Sequence, residues 1–463
     1  MDLPDLIEIV PLDKPVRAEI TVPGSKSITN RALILAALAD GEVTLTSALW
    51  SEDTQIMVEC LQKLGFEIRV EIDPEEFCNR TITVKGLKGK IPNAGTVEKP
   101  LELFVGNAGT ATRFLSAFVC LGNGVYRLSG VPRMHQRPQA ALFSALRELG
   151  YRVESENGNY KLPAKIFGGK VAFHSDQNSN NTIGNAEERV PTERSCTVSI
   201  EESSQFASAL LLCAKVGNWK VEVVGENAEE SPYVEMTRQI CSFGLALRPQ
   251  FEGIQIDASS ASYFWAAKWI SDNLQISAAQ SSIAVKNWIV FRIRQVDSDF
   301  PRIFSQMFSE REKRINVSRK FELGDSIMTA IVMSPFANHR MQFSDLGPLR
   351  LQETERVVAL RTELTKCGAN VVEEGDTLTV WPSPLHGAEI ETYNDHRMAM
   401  CFAILGLKVS GIKIKNPACV KKTFPNFFQK LAAEPPHGLG AEIWEIKDGQ
   451  RTRKLSGDDL FAD

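Results

Sequence analysis

Four short segments in the N-terminal half put Lys, Arg, Ser, Asn and Thr at the starts of helix-like stretches. The first is Val22-Pro-Gly-Ser-Lys26-Ser27-Ile-Thr-Asn30-Arg31, which runs into an apolar stretch over 32–39. A Gly-Ser turn opening a helix offers backbone N–H groups at the positive end of the helix dipole. Lys26 stands beside it and Arg31 about one turn on, so the segment suits an anion. It is not a Walker A loop, because G-x-x-x-x-G-K-[ST] is absent. The second segment is Gly106-Asn107-Ala-Gly109-Thr110-Ala-Thr-Arg113, ahead of the apolar stretch 114–121. Its small residues let the backbone approach a ligand to which Asn, Thr and Arg can donate. The third, Pro132-Arg133-Met-His-Gln-Arg137-Pro138, is a basic turn opening a helix. The fourth, Ser203-Ser204-Gln205, precedes Phe206-Ala-Ser-Ala-Leu; alone, its hydroxyls also read as plain N-caps.

The C-terminal half adds Asp325 in Gly324-Asp325-Ser-Ile-Met-Thr, and Glu353 and Arg356 in Gln352-Glu-Thr-Glu-Arg356. It also adds Asp395-His396-Arg397, and Lys422 in Lys-Lys-Thr-Phe-Pro. Each alone reads as a solvated charge, and a lone His as structural. Together they are skewed towards cations, hydroxyls and amides, with few carboxylates. The ligand implied is a multiply charged anion such as a phosphate-carboxylate, and the carboxylates are left for proton transfer. No His/Asp cluster has metal-ligand spacing, so charge neutralisation falls to Lys and Arg.

These segments need a scaffold that brings distant chain together. A helix-like stretch ending in Gly and followed at once by a strand-like stretch recurs four times, at Gly65, Gly150, Gly244 and Gly368. The copies lie roughly 85 to 125 residues apart, too far for a solenoid repeat, and predict an α/β unit used several times. With 463 residues, about 150 per domain gives two or three domains. The composition, 43% hydrophobic and 24% charged with a net charge of −5, excludes disordered and collagen-like chains and a broad basic face for nucleic acid. The nine cysteines form no C-x-x-C pair and read as buried thiols in a reducing cytoplasm. The N-terminus lacks the pattern of a secretory signal, and the longest apolar run (207–214) is far short of the ~20 residues of a membrane span. Residues 176–195 read as a surface insertion, 272–320 give no clear pattern, and the chain after a last helix at 426–433 reads as a polar appendage.

In order and content these segments resemble the enolpyruvyl transferase family, in its branch acting on shikimate 3-phosphate. The resemblance runs over about residues 10–432. It rests on Pro-Gly-Ser-Lys-Ser-Ile-Thr-Asn-Arg, Gly-Asn-Ala-Gly-Thr-Ala, Arg-Met-x-x-Arg-Pro, Ser-Ser-Gln, Asp-Ala-Ser-Ser-Ala-Ser-Tyr (257–263), Asn-Asp-His-Arg-Met-Ala-Met and Lys-Thr-Phe-Pro. The branch acting on UDP-N-acetylglucosamine has a reactive Cys in the Arg-bearing loop; residues 131–138 contain none.

The resemblance implies an α/β fold of two similar domains, each of three βαβαββ units forming an inside-out barrel, with the active site in the cleft between them. One domain would span 25–253, the other 1–24 plus 254–435, with 436–463 as a C-terminal tail. The implied reaction moves the enolpyruvyl group of phosphoenolpyruvate to the 5-hydroxyl of shikimate 3-phosphate and releases phosphate, with no metal or organic cofactor. By the same resemblance Lys26, Arg137, Arg356, Arg397 and Lys422 surround phosphoenolpyruvate, with Asn107, Gly109, Thr110 and Gln205 as its other contacts. Ser27, Arg31, Ser203, Ser204 and Tyr233 would meet the acceptor. Asp325 and Glu353 would move protons, with Lys26 and His396 beside them; Asp325 and Gln352 would also face the acceptor. Gly109 matches the small residue of glyphosate-sensitive members, which implies inhibition by glyphosate. The expected protein is a cytoplasmic monomer that binds no nucleic acid and no membrane.

Three positions depart from the family pattern, all on the acceptor side. Gln352 stands where the family carries Lys, Pro348 where it carries Asn, and Glu230 where it carries Ser, with Ser231 adjacent. Lost charge-assisted contacts cost roughly 1.5 to 3 kcal/mol each. Three readings follow. In the first, a neighbouring cation such as Arg350 or Arg340 takes over the acceptor's phosphate. In the second, the chain is a paralogue acting on a different, unphosphorylated alcohol. In the third, it is an inactive homologue that binds ligand only.

Overall fold

The computed structural model describes the chain except residues 1–2, 170–192, 226–230, 243–249, 252, 275–280, 289–292, 310–313 and 463. Its buried apolar side chains sort into two cores. One gathers residues 28–254, with Ile293 added from later in the chain. The other joins residues 3–22 to residues 261–462.

The chain passes between the cores at residues 22–28 and again at 254–261, and the two passages pair with each other. Gly24 and Ile256 form an antiparallel bridge. Ser25 N donates to Gln255 O (2.7 Å) and Asp257 N to Pro23 O (2.9 Å). Gly24 lies against the Ser47 carbonyl with no room for a Cβ, and its N–H donates to Asn79 Oδ1 (2.8 Å). A thin double connection between two cores is the geometry of a hinge.

Three four-stranded sheets share one topology, a parallel pair followed by two antiparallel strands. In the first, Gln250–Phe251 runs parallel to Asp40–Leu49, followed by Asn79–Leu87 and Ile68–Ile72. The second sheet orders Leu101–Phe104, Val125–Ser129, Ala164–Phe167 and Arg152–Ser155. The third, on the other core, orders Asn316–Ser318, Met341–Ser344, Thr377–Trp381 and Asn370–Glu374. The recurring helix–Gly–strand pattern belongs to these sheets. Gly65, Gly150 and Gly368 each follow a helix with φ of +96°, +86° and +92°, where a Cβ is strained and glycine satisfies the helix end. Gly244 lies outside the described residues.

Several helices are buried almost all round, as their Ala-, Leu- and Ile-rich sequences require. In Lys26–Leu38 ten residues are buried, and in Gly109–Phe118 and His396–Gly406 every residue is. Ala258–Asp272 and Gln205–Gly217 are mostly buried too. The polar first turns of these five helices all reach the space between the cores, where Lys26, Gly109, Gln205, Ser259 and His396 line one cleft.

Two stretches differ from the sequence reading. The last helix is Phe427–Ala432, and the chain beyond it is no appendage. Strands Ile443–Lys447 and Gln450–Leu455 extend the sheet formed by Glu389–Ile390, Ile412–Lys415 and Leu6–Ile9. Leu439, Ile443, Leu455 and Leu460 of residues 436–463 are buried in the second core. Residues 272–320, which gave no pattern, contain helix Phe300–Met307, with Phe300, Ile303, Phe304 and Met307 buried. The expected insertion at 176–195 lies outside the described residues up to 192; strand Arg194–Ser199 begins just after. Among the described residues no helix is long and apolar enough to cross a membrane.

Candidate active site

The cleft between the cores has a volume of about 620 Å³ and is lined from both sides, a size suited to one or two small molecules. From the first core, Lys26 Nζ sits 3.1 Å from Asp53 Oδ2 at the start of its helix. Arg137 ends the short helix Pro132–Gln136 and donates to Asn107 O (3.3 Å). Gln205 Nε2 donates to Thr110 Oγ1 (3.2 Å), joining two helix starts. Ser27, Ser203, Ser204 and Tyr233 line the same wall.

From the second core come two charge clusters around carboxylates. Asp325 Oδ1 takes Arg319 (3.0 Å), and its Oδ2 takes Arg397 (3.2 Å) and, more distantly, Arg356 (3.9 Å). Glu353 Oε1 faces Lys422 (3.2 Å) and Arg137 (4.0 Å), and its Oε2 faces Arg356 (2.8 Å). The Glu353 cluster therefore joins the lobes, since Arg137 belongs to the first core. Lys422 Nζ reaches the same lobe, donating to Asn107 O (2.9 Å). Arg133 adds a further crossing, with Nη2 donating to Gln352 O (2.8 Å) and Nε to Glu353 O (3.2 Å). Asp395 caps the helix of His396 through Arg397 N (2.9 Å) and holds Arg356 Nε (2.7 Å).

Electrostatics follow from this packing. Burial pushes both carboxyls up, but the surrounding cations win. Arg397, Arg319 and Arg356 hold Asp325 below the usual carboxylate range, and Lys422, Arg356 and Arg137 do the same for Glu353. Both are therefore ionised at neutral pH. Asp297, buried beneath Gly324, behaves oppositely: burial raises it to about 6 despite the hydrogen bond from Ser326.

His396 is buried with neither ring nitrogen hydrogen-bonded among the described residues. Burial, with Arg397 alongside, pushes it well below its ordinary value, so it is neutral at neutral pH. The sign for stability follows. Acidification protonates the unfolded chain's imidazole first, so stability falls as pH drops through ~6.5. Stability is therefore expected to fall between pH 7.5 and 5.5, and His396→Gln is expected to lose less. Urea titrations at the two pH values check it; equal losses would contradict it.

The residues picked from the sequence thus gather at one place. Arg137, Arg356, Arg397 and Lys422 meet Asp325 and Glu353 across the cleft, while Lys26 pairs with Asp53, which Lys422 also approaches. Arg31 stands apart in character. It is fully buried, with Nε donating to Thr237 Oγ1 (2.8 Å) and other nitrogens to Ser27 O and Ser208 Oγ, so its guanidinium braces the wall. Asn107 offers its carbonyl to Lys422 and Arg137 rather than its side chain. Of the two cations expected to replace the Lys missing at 352, Arg350 is held by Glu355, Glu373 (2.8 Å) and Asp376 (3.0 Å). Arg340 is exposed and lies outside the cleft lining. Arg350 does line the cleft, with its guanidinium taken up by those carboxylates. Glu230 lies outside the described residues. Sequence reasoning passed over Asp53, which sits in an ordinary-looking helix start, and Arg319, in a stretch without pattern.

Gly109 has a measurable consequence. A Cβ there would lie against Arg113 Nη1 and 2.6 Å from Arg137 Nη2. Both are tips of flexible side chains, so Gly109→Ala is expected to fold and to displace the Arg137 guanidinium. A misaligned charge-assisted contact predicts a roughly tenfold higher KM for phosphoenolpyruvate with kcat largely kept. Weaker glyphosate inhibition is expected with it. Steady-state kinetics check both; unchanged values would refute the contact.

The sequence model of the family described as EPSP synthase (3-phosphoshikimate 1-carboxyvinyltransferase) matches residues 11–431. A 3-phosphoshikimate 1-carboxyvinyltransferase of Trichormus variabilis is 36% identical over 455 residues, covering 92% of this chain and 98% of that protein. The protein of that name from Opitutus terrae is 35% identical over 458 residues, covering 93% and 98%. The fold is shared with EPSP synthase from Acinetobacter baumannii, at TM-score 0.66 and 19% identity over 95% of this chain and 99% of that one. It is also shared with the enolpyruvyl transferase NikO from Streptomyces tendae, at TM-score 0.58 and 13% identity over 95% and 98%. The three repeated sheet units and paired crossings described above are therefore parts of the two-domain inside-out α/β fold. The chain belongs to the EPSP synthase (3-phosphoshikimate 1-carboxyvinyltransferase) family.

Proposed function

We propose that the cleft transfers the enolpyruvyl group of phosphoenolpyruvate to the 5-hydroxyl of shikimate 3-phosphate, with Asp325 and Glu353 moving the protons. One observation carries the assignment of roles. Two ionised carboxylates sit among Lys and Arg side chains that come from both cores. Phosphoenolpyruvate brings its own carboxylate and phosphate. Binding between Lys26, Arg137, Arg356, Arg397 and Lys422, it displaces Glu353 from its cationic partners. Loss of those partners raises the Glu353 pKa and lets it carry a proton.

The steps then balance. The acceptor hydroxyl gives its proton to Asp325 as its oxygen bonds to the enol carbon, and the methylene carbon takes a proton from Glu353. In the resulting ketal the methyl proton returns to a carboxylate, the double bond re-forms and the carbon–oxygen bond to phosphate breaks. Lys and Arg offset the charge on the departing phosphate. His396, neutral and packed behind Arg397, shapes the pocket without carrying charge. Closure of residues 25–253 on 1–24 plus 254–435 about the paired crossings would exclude water.

Mixing protein, phosphoenolpyruvate and shikimate 3-phosphate is expected to release phosphate in step with product. Turnover only with an unphosphorylated alcohol would favour a paralogous transferase. Binding of both ligands with no product would favour a ligand-binding homologue.

A further inference from the structure

Gln352 stands where a Lys is expected on the acceptor side of the cleft, yet a guanidinium from another segment of the chain reaches the same spot. Arg319 follows strand Asn316–Ser318 and enters the cleft lining beside Phe321, Gly324 and Asp325. Its Nη2 lies 3.0 Å from Asp325 Oδ1, and Gln352 Nε2 approaches that same oxygen at 3.4 Å. The amide of Gln352 and the guanidinium of Arg319 thus share one point of the cleft. Gln352 is itself oriented by Arg356, which donates to its Oε1. The side chain of Arg319 is only 13% exposed, and its Nε is buried without a hydrogen-bond partner among the described residues. An always-charged, desolvated donor facing a cleft and left unsatisfied is set up to receive an anion. Arg350 cannot fill the place, because three carboxylates hold it.

We propose that Arg319 is a specificity-determining residue that binds the phosphate of the acceptor, supplying from the turn after strand Asn316–Ser318 the positive charge absent at position 352. Its other edge keeps Asp325 ionised and turned towards the attacking hydroxyl. The inference rests on the transfer reaction given above, but its test is a binding measurement and is decided whether or not turnover is observed.

The experiment is calorimetric titration of the enzyme with shikimate 3-phosphate and with shikimate. The unchanged enzyme is expected to favour the phosphorylated ligand strongly. Arg319→Gln should lose roughly 10- to 100-fold of affinity for shikimate 3-phosphate, the scale of a charge-assisted contact, with little change for shikimate. Arg319→Lys should recover part of that loss. The double variant Arg319→Gln/Gln352→Lys should restore the preference, because the charge returns from position 352. A merely structural role, or one exercised only through Asp325, would weaken both ligands alike and would not be rescued by Lys at 352. Either of those outcomes overturns the inference. An unchanged preference in Arg319→Gln overturns it as well. Absent turnover with intact binding would count against the transfer reaction alone.

Discussion

Asp325→Asn is expected to lower kcat by about 10²- to 10⁴-fold, the range for removal of a positioned proton acceptor. The amide keeps the volume of the carboxyl and can still meet neighbouring groups, so the fold should persist. What disappears is the negative charge that faces Arg319 at 3.0 Å and Arg397 at 3.2 Å. Those guanidiniums are then less neutralised, which favours anionic ligands. The distinguishing result is therefore a split: turnover collapses while phosphoenolpyruvate and shikimate 3-phosphate bind as tightly as before, or tighter. Steady-state kinetics with calorimetry check it. Retained kcat, or an equal loss of binding and turnover, would remove Asp325 from the proton path. The pH profile adds a check. Because its cations hold the Asp325 pKa below the usual carboxylate range, no acidic limb from this group is expected above pH ~4.

Lys422→Met is expected to cut the affinity for phosphoenolpyruvate by roughly 10²- to 10³-fold, since it leaves buried charges unpaired. Lys422 is 5% exposed and touches Glu353 at 3.2 Å, Asp53 at 3.8 Å and the Asn107 carbonyl at 2.9 Å. It is a cation of the second lobe bonded to the first, so its loss removes both charge and an inter-lobe tie. Its absence also removes the main influence lowering the Glu353 pKa. Affinity for shikimate 3-phosphate alone should change little, because Arg319, Ser203 and Ser204 are untouched. An equal loss for both ligands would point to general collapse of the cleft, and no loss would contradict the charge assignment.

Much of this site was legible because its chemistry is local in sequence. A small-residue turn followed by Lys, Asn, Thr or Arg and then an apolar run marks a buried helix whose start faces a ligand. Lys26 and Gly109 stand out that way, whereas Gln205 and His396 take their place in the site from the family resemblance. The helix-ending glycines at 65, 150 and 368 likewise announced the repeated sheet unit. Other features were written less plainly. The helix Phe300–Met307 carries its apolar spacing over only eight residues, beside chain with no comparable pattern. The terminal hairpin turns at Asp448-Gly449, both with positive φ, a strong turn signal outweighed by the polar residues around it. The strand alternation of Ile443–Lys447 was short, and its burial depends on pairing with Leu6–Ile9, over 430 residues away in the chain. Arg319 was invisible for the same reason. Asp325 stands six residues on in the chain, but only the third dimension brings Arg319 to Gln352. Arg350 misled because neighbourhood in sequence says nothing of the three carboxylates that occupy it.

The central claim is that cations from both lobes converge on one small enol-ester beside two carboxylates. A crystal structure of Asp325→Asn with phosphoenolpyruvate and shikimate 3-phosphate tests it most directly, since the variant should hold the reactants unconverted. The account predicts phosphoenolpyruvate within hydrogen-bond distance of Arg137 on one side and Lys422 and Arg397 on the other, with Glu353 displaced. Phosphoenolpyruvate bound to one lobe only, or away from Glu353, would contradict it.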